Sequence, residues 1–187
     1  SVIFYPSADA MPYLSIIASL AVTRSIENET GLRPSIKWPN DVLIRDKKVC
    51  GLLVENALEG NVVKHAIVGF GLNVSLDPRN FPEIASIATS LNLEAKQEVD
   101  ESRLLRRLLH ELDELYVALV SGLHPIKEWK ERLDTLGKRV EIRWNNDVIA
   151  GYAEDVNSMG HLMLKLDNGT QLTVPAGEVS LRPLPLS

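Results

Sequence analysis

The chain has 187 residues, of which 45% are hydrophobic and 24% charged, with a net charge of −5 at pH 7. This length is enough for one large core, or for a core and a small satellite domain. The acidic balance excludes a general nucleic-acid-binding surface, which needs clustered positive charge, and no apolar run approaches the roughly 20 residues of a membrane span.

The N-terminal third is predicted to begin with a short strand and a helix. Val2–Tyr5 is a β-prone run, and because it starts in mid-strand without a methionine, we expect further sequence upstream. Residues 8–31 predict a helix, since apolar residues recur at helical spacing until Gly31 ends the pattern. Ser35–Trp38 then predicts a second strand.

A hairpin is predicted next. The β-rich runs Val42–Arg45 and Val49–Glu55 flank the polar connection Asp46-Lys47-Lys48. Pro39 cannot donate a ladder hydrogen bond and forces the residue before it into an extended conformation. The segment therefore delivers Asn40 and Asp41 at the end of a strand, a place where α/β folds put chemistry.

The single cysteine, Cys50, lies within the second run of this hairpin. It cannot form an internal disulfide, and an apolar setting is typical of an inert core thiol in a reducing compartment. No signal peptide is recognisable. We therefore predict a cytoplasmic location.

A further strand is predicted over residues 62–74, with Gly69 and Gly71 at alternate positions. Alternate residues point to the same side, so one face of this strand lacks side chains. Glycine spacing alone favours close packing of a helix there. Asn73 and the neighbouring motifs favour the alternative, a floor on which a ligand lies flat.

The middle of the chain is predicted to be helical. Residues 77–83 indicate a loop, and residues 85–91 a short helix or turn. Asp100 is a candidate N-cap for a long amphipathic helix closed by Gly122, and a second helix is predicted over residues 125–137. The predicted buried stripe of the long helix consists of Leu104, Leu105, Leu108, Leu112, Leu115 and Leu119.

After Gly137 the pattern becomes all-β. Strands are predicted at 140–144, 148–154, 162–166, 171–174 and 178–182, which together indicate a small SH3-like barrel. The predicted fold class is therefore α/β (α+β), with a mixed β-sheet flanked by helices. We predict one domain over residues 1–137 and an SH3-like barrel domain over residues 138–187.

Three ordered motifs resemble those of biotin protein ligases. They are Lys37-Trp38-Pro39-Asn40-Asp41, then Lys48 with Gly51-Leu52-Leu53-Val54-Glu55, then Val68-Gly69-Phe70-Gly71-Leu72-Asn73-Val74. Gly177-Glu178-Val179-Ser180-Leu181-Arg182 resembles the C-terminal domain of the same family. The resemblance implies a biotin/lipoate ligase-like fold and an ATP- and Mg²⁺-dependent conversion of biotin to biotinyl-5′-AMP. The biotinyl group would then pass to a lysine of the biotin carboxyl carrier domain of acetyl-CoA carboxylase.

The resemblance also implies roles for individual residues. Lys48 would contact the biotin carboxylate and the adenylate, and Asp41 would orient or deprotonate the acceptor amine. In isolation each would be read as a solvated turn residue. The implied biotin-binding set is Lys48, Gly51, Leu53, Gly69 and Gly71, and the nucleotide-binding set is Lys37, Asn40, Asn73, Glu178 and Arg182. The four histidines show no metal-ligand spacing, so no metal site is predicted.

In one respect the sequence departs from the family. Biotin protein ligases carry, before the position of Ser1, early strands and an Arg-Gly-rich loop that closes over the adenylate. This chain lacks both, so we expect a fragment of a complete ligase, able to form a homodimer through a sheet edge. The alternatives are a non-catalytic or scaffold chain of the same fold and a lipoate ligase relative.

Overall fold

The computed structural model describes residues 1–59, 62–144 and 147–175, and the backbone of residues 180–183. It shows an α+β protein in which helices accompany two five-stranded antiparallel sheets. The strands are β1 (Val2–Phe4), β2 (Ser35–Lys37), β3 (Asp41–Ile44), β4 (Lys47–Glu59), β5 (Val62–Leu72), β6 (Arg139–Trp144), β7 (Asp147–Val156), β8 (Leu162–Lys165), β9 (Gln171–Val174) and β10 (Ser180–Pro183). The helices are α1 (Leu14–Thr30), α2 (Leu91–Ala95), α3 (Glu101–Val120) and α4 (Ile126–Glu131).

The first sheet has the strand order β1-β5-β4-β3-β2. The predicted α+β class is confirmed, but the named strands of this sheet pair antiparallel rather than in a mixed arrangement. The physical reason is the short connections from β2 to β5, which join neighbouring strands directly and need no crossover. Within the residues that the structure describes, parallel pairing is confined to the isolated bridges Ile36–Leu133 and Lys48–Ala88.

The β3–β4 hairpin turns more tightly than predicted. Arg45 and Asp46 form the turn with φ values of 49° and 64°, and Ile44 pairs directly with Lys47. Positive φ at both central residues defines the turn type whose twist matches that of the flanking strands. Consequently Lys47 and Lys48 belong to β4 rather than to the loop.

Helix α1 packs on the first sheet and is buried along most of its length. A 3₁₀ turn, Met11–Tyr13, precedes it, so regular α-helix begins later than the predicted residue 8. The helix ends at Gly31 as predicted, because Gly31 adopts a left-handed conformation with φ of 71° and its N–H donates to the carbonyl of Glu27.

Helix α3 confirms the predicted N-cap, since the Asp100 side chain accepts a hydrogen bond from the backbone N–H of Arg103. Five of the six predicted stripe leucines are buried, but Leu105 is 54% exposed. Its inclusion was wrong because the buried residues follow the i, i+4 row through Leu104 and Leu108, and the next residue points about 100° away.

The short helix or turn predicted over residues 85–91 is confirmed as a turn, which extends to Ile87 before helix α2 begins at Leu91. The second predicted helix is shorter than expected. Helix α4 ends at Glu131, well before Gly137. The following residues leave the helix because they bond to β2: Ile36 donates to the carbonyl of Arg132 at 2.8 Å and accepts from Asp134 at 2.8 Å.

The second sheet has the order β10-β6-β7-β8-β9 and is consistent with an SH3-like domain. Within the described strands β9 and β10 lie at opposite edges, so the sheet is seen open rather than closed. It contacts the first part of the chain where the Trp38 indole N–H donates to the carbonyl of Gly160 at 3.0 Å. Among the described residues, no helix is long and apolar enough to cross a membrane.

Candidate active site

One face of the first sheet carries a row of four paired residues across β2, β3, β4 and β5. Lys37 pairs with Asp41, Asp41 with Gly51, and Gly51 with Gly71. Directly opposed residues of antiparallel strands point to the same side of a sheet. Two charged side chains therefore stand next to two glycines, on the face opposite the buried side chain of Leu52.

A β-bulge brings Lys48 to this face. Val42 pairs with Cys50 but Leu43 pairs with Lys48, which leaves Val49 as an extra residue in β4. Lys48 and Gly51 are three positions apart, so in a regular strand they would point to opposite faces. The bulge restores a common face, and no sequence pattern indicated it.

Lys48 is held at both its backbone and its side chain. Its N–H donates to the carbonyl of Ile87 at 2.8 Å, and its carbonyl accepts from the N–H of Thr89 at 2.9 Å. Its Nζ lies 2.6 Å from Oδ1 of Asp41. The lysine is 45% exposed and the aspartate 21%, so the pair remains accessible to a ligand.

Gly51 provides the space that the Lys48 side chain occupies. A Cβ added at Gly51 would lie 2.8 Å from both Cε and Nζ of Lys48, closer than side-chain carbons approach one another. At the neighbouring Gly71, the nearest atom to an added Cβ is the carbonyl oxygen of Gly51 at 3.5 Å, an ordinary contact. The Lys48 side chain can therefore hold this position only because Gly51 has no side chain.

This contact gives a testable prediction for Gly51→Ala. We expect the added methyl group to displace the Lys48 ammonium and break its 2.6 Å contact with Asp41, because the lysine end is flexible and the strand backbone is not. Crystal structures of Gly51→Ala and of the matched variant Gly71→Ala measure the outcome. An intact Lys48–Asp41 contact in Gly51→Ala would contradict the prediction, as would its loss in Gly71→Ala.

The two predicted asparagines are engaged in local structure. The Asn40 side-chain amide donates to the carbonyl of Leu52 at 2.7 Å, which fixes the turn after β2 to β4. The Asn73 side chain donates to the carbonyl of Thr89 at 3.1 Å, and its backbone N–H donates to the carbonyl of Val49 at 2.8 Å. Each asparagine therefore orients backbone beside the site.

Leu53 and Gly69 extend the same face by one further pair. Leu53 is 59% exposed, which is unusual for a leucine in a central strand. Because Gly69 and Gly71 have no side chains, they form a flat floor beside Leu53. The Leu53 side chain is the one apolar wall of this floor. Such a surface suits a flat, largely apolar ring.

A cavity of about 820 Å³ opens above the charged end of this face. Three of its residues were predicted site residues: Lys37, Asp41 and Lys48. Sequence reasoning missed the part of the lining that the connection between α4 and β6 contributes. The cavity is lined by Lys37, Asp41, Leu43, Asp46, Lys48, Ile87, Asp134, Thr135, Lys138 and Val140.

Two of the predicted residues also line a second cavity, and two belong to the C-terminal end of the chain. Asn40 and Leu53 line a second cavity of about 640 Å³, together with Met159 of the C-terminal part. Glu178 lies outside the described residues. Arg182 belongs to β10, where its backbone pairs with β6, and its side chain lies outside the described part of the chain.

Cys50 is free and buried, as predicted. Burial raises the pKa of its thiol to about 12, because a thiolate would lose its hydration there. The nucleophilic form of cysteine is therefore absent at neutral pH. Cys50 contributes to the core and not to the chemistry of the site.

Fold and site together define a ligase-like α+β domain followed by an SH3-like domain, and comparison with known proteins agrees. Residues 2–73 match the Biotin/lipoate A/B protein ligase family, and residues 135–182 match the Biotin protein ligase C terminal domain. The biotin--[acetyl-CoA-carboxylase] ligase of Paracoccus denitrificans is 30% identical over 181 residues, which cover 91% of this chain and 73% of that protein. The chain belongs to the biotin protein ligase family.

Two further relatives show how much of a ligase the chain represents. The bifunctional ligase/repressor BirA of Bacillus subtilis strain 168 is 34% identical over 161 residues, covering 84% of this chain. The chain spans only 50% of the length of that protein. The structure of biotin protein ligase from Aquifex aeolicus in complex with biotin and ATP superimposes with a TM-score of 0.81 at 26% identity, over 96% of this chain and 74% of that chain.

Proposed function

We propose that this chain forms part of a biotin protein ligase and supplies its adenylation site. The observation that carries the proposal is the Lys48 ammonium, held 2.6 Å from Asp41 beside a strip of the sheet that lacks side chains. The reaction has two half-reactions. Biotin and ATP give biotinyl-5′-AMP and pyrophosphate, and the biotinyl group then passes to a lysine of a biotin carboxyl carrier domain.

In the first half-reaction a carboxylate oxygen of biotin attacks the α-phosphorus of ATP, and the bond from that phosphorus to the leaving pyrophosphate breaks. Two anions must approach each other, so a fixed ammonium between them lowers the barrier. The proposed role of Lys48 is supported by the bulge and by the hydrogen bonds to Ile87 and Thr89, which fix its backbone. A preorganised charge does not have to reorient when the reaction occurs.

In the second half-reaction the acceptor amine attacks the acyl carbon, AMP leaves, and the attacking nitrogen loses a proton. Asp41 is proposed to orient that amine and to accept the proton. Its half-buried carboxylate reaches the same cavity as Lys48. In this proposal Lys48 serves the activation of the acid, and Asp41 serves the transfer of the acyl group.

The other predicted residues are proposed to bind the two substrates. The biotin ring would lie on Gly51, Gly69 and Gly71, against the exposed side of Leu53. This placement uses the apolar floor and leaves the carboxylate end next to Lys48. The proposed nucleotide contacts are Lys37, Asn40, Asn73, Glu178 and Arg182.

Mg²⁺ is proposed as the companion of ATP rather than as an ion resident in the protein. Within the described residues, no group of three or more His, Cys, Asp or Glu side chains is placed to hold a metal. Mg²⁺ commonly binds through substrate phosphates with few protein ligands. In the proposed half-reactions the side chains of this chain contact the phosphates directly.

The domain division, the cellular location and the oligomeric state are also proposed. We propose a division into residues 1–137 and 138–187, and a cytoplasmic location, which suits an ATP-dependent reaction and the free Cys50. A homodimer is proposed through the edge of β4, which continues to Glu59 although its pairing with β3 ends at Gly51. An open strand edge can pair with a second chain.

The test is pyrophosphate exchange into ATP, measured on the protein encoded by the full reading frame. We expect exchange with biotin and none without it, because only the acid that fits the floor forms an adenylate. Lipoate and octanoate serve as competing acids. Exchange with either of them and none with biotin would refute the substrate assignment, and exchange with no acid would refute the function.

A further inference from the structure

A third lysine, Lys138, lines the cavity above the site. Lys138 lies in the connection that leads into β6, and it lines the same cavity as Lys37 and Lys48. Its Nζ donates to both carboxylate oxygens of Asp134, each at 2.7 Å. Lys138 is 44% exposed, so a ligand in the cavity has access to it.

The backbone that carries Lys138 is fixed to the first sheet. Asp134 donates to the carbonyl of Ile36 at 2.8 Å, and the Thr135 hydroxyl accepts from the backbone N–H of Trp38 at 2.9 Å. The segment thereby runs beside β2, next to Lys37. These backbone contacts fix the segment that leads to Lys138 at the edge of the sheet, beside β2.

The cavity is lined by three lysines and three aspartates, Asp41, Asp46 and Asp134, so a polyanion can bind there only by drawing lysine ammonium groups away from carboxylates. It contains three lysines, of which Lys48 and Lys138 each contact one aspartate. In the described part of the chain, Lys37 has no such carboxylate contact. A triphosphate carries about four negative charges at neutral pH, and charge-assisted hydrogen bonds from several cations are the usual means of binding it.

Resting on the proposed function, we propose that Lys138 binds the β- and γ-phosphates of ATP and retains the diphosphate that leaves. In the proposed reaction Lys48 contacts the reacting carboxylate and the α-phosphate. The β- and γ-phosphates therefore need a separate cation. Lys138 is suited to this need because it lines the same cavity as Lys48. The ligand chemistry is a diphosphate group, whether as the end of ATP or as free pyrophosphate.

Asp134 is the group with which the ligand competes. Its carboxylate accepts two hydrogen bonds from the Lys138 ammonium. A diphosphate must either displace this carboxylate or share the ammonium with it. Removal of the Asp134 charge is therefore expected to strengthen diphosphate binding, an effect opposite to that of removing Lys138.

The experiment measures binding of inorganic pyrophosphate, ATP and AMP to the protein encoded by the full reading frame by calorimetry. Lys138→Gln should weaken pyrophosphate and ATP binding about tenfold, the value of one charge-assisted hydrogen bond, and leave AMP binding within about twofold. Asp134→Asn should tighten pyrophosphate binding about threefold, and Lys138→Arg should retain most of the affinity because it keeps the charge.

Lys130→Gln is the matched control. Lys130 is also 44% exposed and also pairs with one aspartate, Asp155 at 2.6 Å, but it lies on α4 and does not line the cavity. We expect wild-type pyrophosphate binding in this variant. Thermal midpoints of both variants should match, since exposed ion pairs contribute little to stability.

Three results would overturn the proposal: equal pyrophosphate affinity in the Lys138→Gln and Lys130→Gln variants, an equal loss for AMP and pyrophosphate, or no pyrophosphate binding by the wild-type protein. These results are separable from failure of the proposed function. If exchange in the full protein requires lipoate instead of biotin, the Lys138 result stands. If exchange requires biotin but Lys138→Gln leaves the KM values for ATP and pyrophosphate unchanged, only this inference fails.

Discussion

Lys48→Ala in the protein encoded by the full reading frame is expected to lower biotin-dependent pyrophosphate exchange by about a hundredfold or more. Loss of one preorganised group that stabilises transition-state charge typically costs two to three orders of magnitude. The thermal midpoint should change little, because the Lys48 side chain is 45% exposed and exposed ion pairs contribute little to stability. The measurement is the initial exchange rate at saturating ATP and biotin.

The matched control for this variant is Lys47→Ala. Lys47 precedes Lys48 in β4 and is exposed, but it does not line the cavity. Its removal tests whether the hairpin tolerates the loss of a lysine and of one positive charge. We expect a wild-type exchange rate for Lys47→Ala. Equal rates in the two variants would show that Lys48 is a solvated strand residue with no role in adenylation.

The order of elements was predictable because its signals are local. Gly31 ends α1 through its own backbone conformation, and Asp100 caps α3 through a contact three residues away. The motif around Asp41 and the alternating glycines Gly69 and Gly71 also stand in short stretches of sequence. Features of this kind depend on neighbours in the chain, so a pattern of residue types captures them.

The features that assemble the site were not predictable in this way. The bulge at Val49 depends on how β3 pairs with β4, and it alone turns Lys48 toward Gly51. Lys138 reaches the cavity because its segment bonds to Ile36, about a hundred residues earlier in the chain. Both features depend on which segments pair with each other in the folded chain. The local sequence carries no recognisable signal for that pairing.

The two half-reactions are predicted to separate at Asp41. Asp41→Asn should retain much of the adenylation rate, because the asparagine Oδ1 can still accept the hydrogen bond that now joins Asp41 to Lys48 at 2.6 Å. It should slow transfer to the carrier domain by about a hundredfold, the lower range for loss of a general base. Biotinyl-5′-AMP is therefore expected to accumulate on the enzyme.

The decisive measurement supplies purified biotinyl-5′-AMP to the Asp41→Asn protein and follows biotin transfer to a carrier domain. Adenylation is bypassed, so the rate reports the second half-reaction alone. Asp113→Asn, an exposed substitution of the same kind on α3, is the control and should transfer at the wild-type rate. If Asp41→Asn also transfers at that rate while exchange is impaired, the carboxylate serves the nucleotide, and its assignment to the acceptor amine is wrong.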